Sequence, residues 1–349
     1  MFQDISIEEL LSLKDKNKLT LIDVRSPSEY KDATIPGSMN IPFFNDEERA
    51  EVGTIYKQVS VDAAKERGLE IASAKLPRFV KQFAELEGKK AVFCWRGGMR
   101  SRTTATVLSL MGIKVFRLEG GYRTYRNWVV NQLESLELKP KAYVLNGYTG
   151  TGKTIILHHL NDEGYPTLDL EGMANHRGSV FGQIGLEPSN QKRFDALLYE
   201  NIKRVQKSPF VFLEGESKRI GRVVIPDFVL EKKNHGLQLF IELPVEERVK
   251  HILEDYQPWD HEEECLEAFI RVKRRIHTPI ANKIEMDLKS GDYSSAVRLL
   301  LEYYYDPLYN HSAEQFPEDQ KITIKVNTTD EAIDYIRKLI STKKHSDLQ

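Results

Sequence analysis

The stretch "KAYVLNGYTGTGKT", residues 141–154, decides the second half of the chain. Its first seven residues hold the apolar run Ala142–Leu145 and end in glycine, the composition of a buried strand. Its last eight match Gly-x4-Gly-Lys-Thr, with Gly147, Gly152, Lys153 and Thr154 at the required positions. "TIILHHL" follows, so a strand runs into a glycine-rich loop that opens a helix. Backbone amides of such a loop wrap a diphosphate, and the lysine adds a point charge. Gly147, Tyr148, Thr149, Gly150, Thr151, Gly152, Lys153 and Thr154 are therefore expected to bind diphosphate. Thr154 is a candidate Mg²⁺ ligand, and Glu214, at the end of the strand "FVFLE" (210–214), is its candidate partner, with Glu216 as competitor. Neither Asn-Lys-x-Asp nor any sign of an adenine pocket is present, so the diphosphate need not belong to a nucleotide.

Around this stretch the strands 165–170, 209–216, 237–244 and 321–327 alternate with helical runs, a pattern that gives a parallel sheet. Residues 260–310 read as a helical insertion, and 330–340 as a closing helix. The same alternation occurs earlier: strands at 19–24, 91–95 and 114–121, a helix over 101–112 and another over 122–136. The expected fold class is α/β throughout: a parallel-sheet domain over 1–128, a linker helix over 129–140, and a three-layer phosphate-loop domain over 141–349.

The first unit has its own unusual loop, "FCWRGGMRS" (93–101). Cys94 stands where a strand ends and a helix is about to begin, where free amides and the helix dipole favour an anion. Gly97 and Gly98 let the backbone bend so that amides converge. Arg96 and Arg100 supply charge-assisted hydrogen bonds, and Ser101 follows. Such surroundings suit a thiolate. A cysteine phosphatase and an enzyme that carries sulfur or selenium on its cysteine both need this cradle; a merely buried cysteine is the third reading. Cys265, on a helix among acidic residues, is in a setting that disfavours a thiolate.

Other polar groups are open to two readings each. His176, Arg177 and Ser179 in "ANHRGSVFG" are candidates to clamp a substrate's phosphate or a base, or form a surface turn. Lys218, Arg219 and Arg222 follow the 210–214 strand on the side where phosphate is expected. Arg274 and Arg275 belong to "RVKRRIH", read as a basic helical face that is either solvated or lies along an RNA backbone. His158 and His159 have no partner cysteines and read as packing or surface residues.

Composition sets limits. The chain has 349 residues, 40% hydrophobic and 29% charged, with formal net charge −2. No run approaches the roughly 18–20 apolar residues that span a bilayer. The acidic amphipathic N-terminus does not read as a signal peptide. Two distant cysteines argue against a disulfide framework and for a reducing compartment, so a cytoplasmic location is expected. The net charge does not advertise nucleic acid but leaves room for local basic patches.

"DVRSPSEYKDATIPGSMNIP" (23–42), "CWRGGMRS" and "LEGGYRTYR" (118–126), taken in that order, resemble the rhodanese family. Single-domain rhodaneses usually have one residue fewer in the cysteine loop, so a larger, phosphate-bearing donor is expected here. Joined to "GYTGTGKT", "ANHRGSVFG" and "EGESKRIG", the whole resembles the tRNA 2-selenouridine synthase family. That resemblance implies a transferase that replaces sulfur by selenium in wobble 2-thiouridine of tRNA. It implies selenophosphate as donor, held by Arg96, Gly97, Gly98, Arg100 and Ser101, with Cys94 carrying selenium. It further implies an S-geranyl intermediate made from geranyl diphosphate. The expected partners are tRNA and these two small substrates, with no membrane; a monomer is compatible with the sequence. No tightly bound cofactor is expected, and Mg²⁺ is the candidate ion. Two other readings stay open: an ATP-dependent kinase or NTPase with a fused rhodanese or phosphatase module, and a tRNA-docking protein with an inactive rhodanese unit.

Overall fold

The computed structural model describes residues 2–16, 18–309 and 315–346. The chain divides into two units: Met1–Ser135 together with Asp195–Leu197, and Leu136–Phe194 with Leu198–Gln349.

The first unit contains β1 (Gln3–Ile5), α1 (Ile7–Asp15), β2 (Thr20–Asp23), α2 (Pro27–Asp32), β3 (Met39–Asn40), α3 (Asp46–Gln58), α4 (Val61–Ala84), β4 (Lys90–Phe93), α5 (Met99–Leu110), β5 (Val115–Leu118) and α6 (Gly121–Ser135). Its sheet is parallel, in the order β1-β5-β4-β2-β3. β4 is buried along its whole length, so both faces of the central strand are covered, as parallel sheets require. Phe43, Phe79 and Phe83 pack edge to face or tilted at 5.6 and 5.1 Å between centroids, fastening the second half of α4 to the sheet.

The second unit contains β6 (Lys141–Gly147), α7 (Lys153–Asp162), β7 (Thr167–Leu168), α8 (Leu170–Ala174), α9 (Gln191–Val205), β8 (Phe210–Glu214), β9 (Arg219–Ile220), β10 (Val223–Val224), α10 (Asp227–Asn234), β11 (Leu237–Glu242), α11 (Val245–Tyr256), α12 (Glu262–Lys273), α13 (Thr278–Ser290), α14 (Tyr293–Leu300), α15 (Asp306–Tyr309), β12 (Lys321–Lys325) and α16 (Thr329–Ser346). A π-helical turn, Leu301–Tyr305, joins α14 to α15. The sheet order is β12-β11-β6-β8-β7, again all parallel, and β9–β10 form a separate antiparallel pair. α12 to α14 and the π turn have their own core around Phe269, Ile284 and Leu301, which makes the expected insertion a packed subdomain.

Several boundaries differ from expectation. α5 begins at Met99, not 101, because Gly98 serves as its N-cap. The strand expected over 165–170 is only Thr167–Leu168, because the Asp169 carboxylate already accepts the Gly172 amide and starts α8. The stretch expected as a linker helix over 129–140 is helical only to Ser135, and continuously so from Gly121. α12 ends at Lys273, so Arg274 caps it and Arg275 sits in the following turn; "RVKRRIH" is not one helical face. Among the described residues no helix is long and apolar enough to cross a membrane.

Candidate functional sites

In each five-stranded sheet the central strand feeds a loop from its C-terminal end, where open α/β sheets bind ligands. β4 leads into Cys94–Gly98 and α5; β6 leads into Tyr148–Gly152 and α7.

The cysteine loop is seated on the backbone after β5. The Tyr122 amide donates to the Cys94 carbonyl at 2.8 Å, and the Arg123 amide to that of Trp95 at 2.9 Å. Gly121, at φ 65°, makes this possible: a Cβ there would lie 2.2 Å from the Cys94 carbonyl oxygen and 2.5 Å from the Gly97 nitrogen. With their carbonyls fixed, the loop amides are left over. Those of Arg96, Gly97 and Gly98 have no acceptor among the described residues. Cys94 is 4% exposed and lies on the wall of a cavity of about 770 Å³, its Sγ 3.1 Å from Ser101 Oγ.

The arginines divide. Arg96 is exposed with no ion-pair partner among the described residues, free to meet an anion. Arg100 is engaged: Nη2 donates to Glu29 Oε1 at 3.0 Å and Nη1 to Oε2. Burial alone would raise the Glu29 carboxyl, but Arg100, the Ser26 amide and Arg49 outweigh it and hold it below the usual range. The expected anion ligand Arg100 is thus already half of an ion pair, because α2 brings Glu29 beside it; the sequence reading missed Glu29. It also missed Arg117, whose guanidinium donates to the Gly97 carbonyl and pairs with Asp4 at 2.6 Å. The "DVR…NIP" residues build the floor. Buried Arg25 pairs with Asp23 at 2.6 Å and lies 4.3 Å over the Tyr122 ring. Asn40 Nδ2 donates to the Asp23 and Arg25 carbonyls, both at 2.9 Å.

The phosphate loop is held by α11. Buried Arg248 donates from Nε to the Thr149 carbonyl at 2.9 Å, pairs with Asp306 at 2.5 Å, and lies 5.1 Å over the Tyr148 ring. His251 Nδ1 is 2.9 Å from the Gly150 carbonyl. Gly150 and Gly152 have φ of 81° and 71°, which a side chain would oppose. Thr151 is buried, its Oγ1 donating to the Tyr148 carbonyl at 2.9 Å. Lys153 Nζ is 3.5 Å from the Gly147 carbonyl. Neither Arg248 nor His251 was singled out from sequence; nothing marks them until α11 packs against the loop.

Thr154 and Glu214 come together: Thr154 Oγ1 is 3.2 Å from Glu214 Oε1 and 3.0 Å from Glu171 Oε2. Glu171 is a further residue the sequence reading missed. Glu214 is fully buried and its Oε2 accepts the Leu170 and Glu171 amides at 2.9 and 3.2 Å. Burial, then the charges of Glu171, Asp169 and Glu216, push its carboxyl well above the usual range. Burial and Glu216 push Glu171 up to about 8, against the pull of Lys153. Carboxyls this crowded favour a further cation, and an all-oxygen set of hydroxyl and carboxylates suits Mg²⁺ that also holds phosphate and water. No group of three or more His, Cys, Asp or Glu among the described residues forms a metal cage by itself.

His176, Arg177 and Ser179 line the same cleft of about 480 Å³. Arg177 is committed to Asp255 at 2.8 Å and stacks 4.5 Å over Tyr256; Ser179 Oγ is 3.2 Å from the Tyr256 hydroxyl. His176 is buried, and its Nδ1 accepts the Gly178 amide at 3.1 Å. Arg219 and Arg222 are exposed on the β9–β10 hairpin, and Arg274 and Arg275 are exposed as well; none of the four lines this cleft. Burial, then Glu264 and Glu262, push the Cys265 thiol up to about 11, in line with its acidic surroundings. A small apolar hollow of about 50 Å³, walled by Phe181, Leu288 and Leu301, shares Thr149, Ile252 and Tyr256 with the cleft.

Residues 6–127 match the family described as rhodanese-like domain, and 140–271 that described as tRNA 2-selenouridine synthase AAA domain. A tRNA 2-selenouridine synthase of Sulfurovum sp. (strain NBC37-1) is 31% identical, the match covering 86% of this chain and 90% of that one. Another, of Hydrogenovibrio crunogenus, is 32% identical, with 85% and 90% covered. Among solved structures, the N-terminal domain of a Clostridium difficile 630 protein, titled as an ATP/GTP binding protein, is 40% identical over 37% of this chain and 99% of that one, with a TM-score of 0.35. With both halves matched and curated relatives aligned over most of its length, the chain belongs to the tRNA 2-selenouridine synthase family.

Proposed function

We propose that this chain exchanges sulfur for selenium in 2-thiouridine of tRNA through an S-geranyl intermediate. The phosphate-loop unit transfers geranyl from geranyl diphosphate to the thiocarbonyl sulfur. Diphosphate departs with the C–O electron pair, and the loop amides and Lys153 stabilise the charge that develops on it. Mg²⁺, held by Thr154 with Glu214, would supply further charge there. The thiocarbonyl becomes a thioether, whose thiolate is the better leaving group. In the other unit selenophosphate lies with its phosphate oxygens on the loop amides and Arg96, and the Cys94 thiolate attacks its phosphorus. The P–Se pair leaves with selenium as selenide, and water later hydrolyses the phosphocysteine to free thiol and phosphate. The selenide adds at C2, and the geranyl thiolate leaves with the C–S pair.

The observation that carries the reading is the phosphate loop's apolar neighbour: the cleft shares Thr149, Ile252 and Tyr256 with the hollow walled by Phe181, Leu288 and Leu301, surface that suits a hydrocarbon tail better than a base. Seating a geranyl chain there requires the hollow to widen. The test incubates the full chain with 2-thiouridine RNA and geranyl diphosphate, then selenophosphate, and follows nucleosides by mass spectrometry. S-geranyl-2-thiouridine is expected first and 2-selenouridine second. Hydrolysis of ATP with no change in the nucleoside would replace this reading with that of a fused NTPase.

A further inference from the structure

The cavity at Cys94 has walls of the wrong chemistry for its donor. A selenophosphate needs only amides and cations, and these lie at one end. Much of the remaining lining is apolar or small: Phe43, Phe44, Val52, Ala64, Gly68 and Ala72. The last three recur every fourth residue on α4, a single small-residue face, and at Gly68 it comes within contact distance of Phe44 and Val52. Its volume of about 770 Å³ is that of a ligand pocket. Around it Tyr56, Leu69 and Met99 stand 59%, 69% and 60% exposed, an apolar surface that a folded chain does not leave at a site without a use for it. The rim is basic: Arg49, Lys57, Lys65 and Arg96 border the opening.

We infer that this trough holds the prenyl chain of the S-geranylated nucleotide while selenide freed from selenophosphate beside Cys94 adds at C2, with the RNA phosphates on the basic rim. The inference rests on the proposed function and adds a second prenyl site, separate from the hollow at the phosphate loop. The occupant must be apolar along one length, carry its reacting sulfur at the Cys94 end, and be joined to a polyanion. A prenyl thioether within RNA has these three properties, and a free anion has one. The trough makes the chain more than a leaving group: its burial positions C2 of the base and helps draw the thiolate away from the selenium.

The test compares RNA hairpins carrying S-methyl- and S-geranyl-2-thiouridine, with selenophosphate and the full chain, measuring kcat/KM for selenation. The geranyl substrate is expected to be favoured at least about tenfold, since many buried methylenes contribute. Gly68→Leu should collapse that preference toward about onefold by filling the trough. The added Cβ alone would meet Phe44 at 3.4 Å and Val52 at 3.9 Å, ordinary contacts in an ordinary backbone conformation. Selenation of the S-methyl RNA at an unchanged kcat/KM by the same variant reports that the first unit is folded. Equal use of both substrates by the unaltered chain overturns the trough alone, and so does a preference that survives Gly68→Leu. Failure of the unaltered chain to convert S-geranyl RNA overturns the function and the trough together.

Discussion

At the scale of single residues, the two sites use burial differently. Cys94 is nearly covered yet opens on a cavity, with Ser101 beside its sulfur. Cys94→Ser should lower selenation by about 10³-fold or more while sparing geranylation, read as accumulating S-geranyl-2-thiouridine. In the phosphate cleft, Glu171 is held protonated up to about pH 8. A carboxyl raised from its ordinary 4.5 keeps its proton in the folded chain after the unfolded chain has released it. Its contribution is thus complete below pH 4.5 and lost as pH rises through 8. Glu171→Gln removes that loss: its Tm should exceed the unaltered chain's by about 2–4 °C at pH 8.5, with the gap closing toward pH 4.5. A gap that is constant with pH would mean Glu171 is ionised throughout.

At the scale of elements, the cysteine loop depends on a turn that makes no chemistry of its own. Gly121→Ala puts a methyl against the Cys94 carbonyl at positive φ and should destabilise the first unit by about 2–4 kcal/mol, seen in denaturant unfolding. Gly112, also at positive φ but with nothing within 4 Å of the added carbon, is the comparison: Gly112→Ala should cost about 1 kcal/mol and leave selenation unchanged. Both loops were legible because each packs its chemistry into eight or nine consecutive residues between a strand and a helix. Glu29, Glu171, Arg248 and His251 were not. Each reaches its loop from another element, across 71 residues for Glu29 and Arg100, and no local spacing encodes that meeting. The α3–α4 pair over 46–84 drew no expectation either. Its small residues and Pro77 blur the apolar period, and the face they leave open is the trough.

At the scale of the whole molecule, one chain carries two loops to which the proposed function gives different ligands, one a diphosphate and one a selenium donor. If their chemistries are consecutive, damage to one should be made good by a chain damaged only in the other. Lys153→Ala should raise KM for geranyl diphosphate by about 10–100-fold, the range expected when a charge-assisted contact to phosphate is lost, and leave selenation of pre-geranylated RNA intact. Cys94→Ser should do the reverse. Mixed in equal amounts with both small substrates and 2-thiouridine RNA, the two variants are expected to form 2-selenouridine after a lag, during which S-geranyl-2-thiouridine rises and then falls. The lag is the signature of an intermediate that leaves one chain and is consumed by the other. A mixture that stops at the geranylated nucleoside would mean that the intermediate is never released, and the order of the two steps would then have to be read within a single chain by rapid quench.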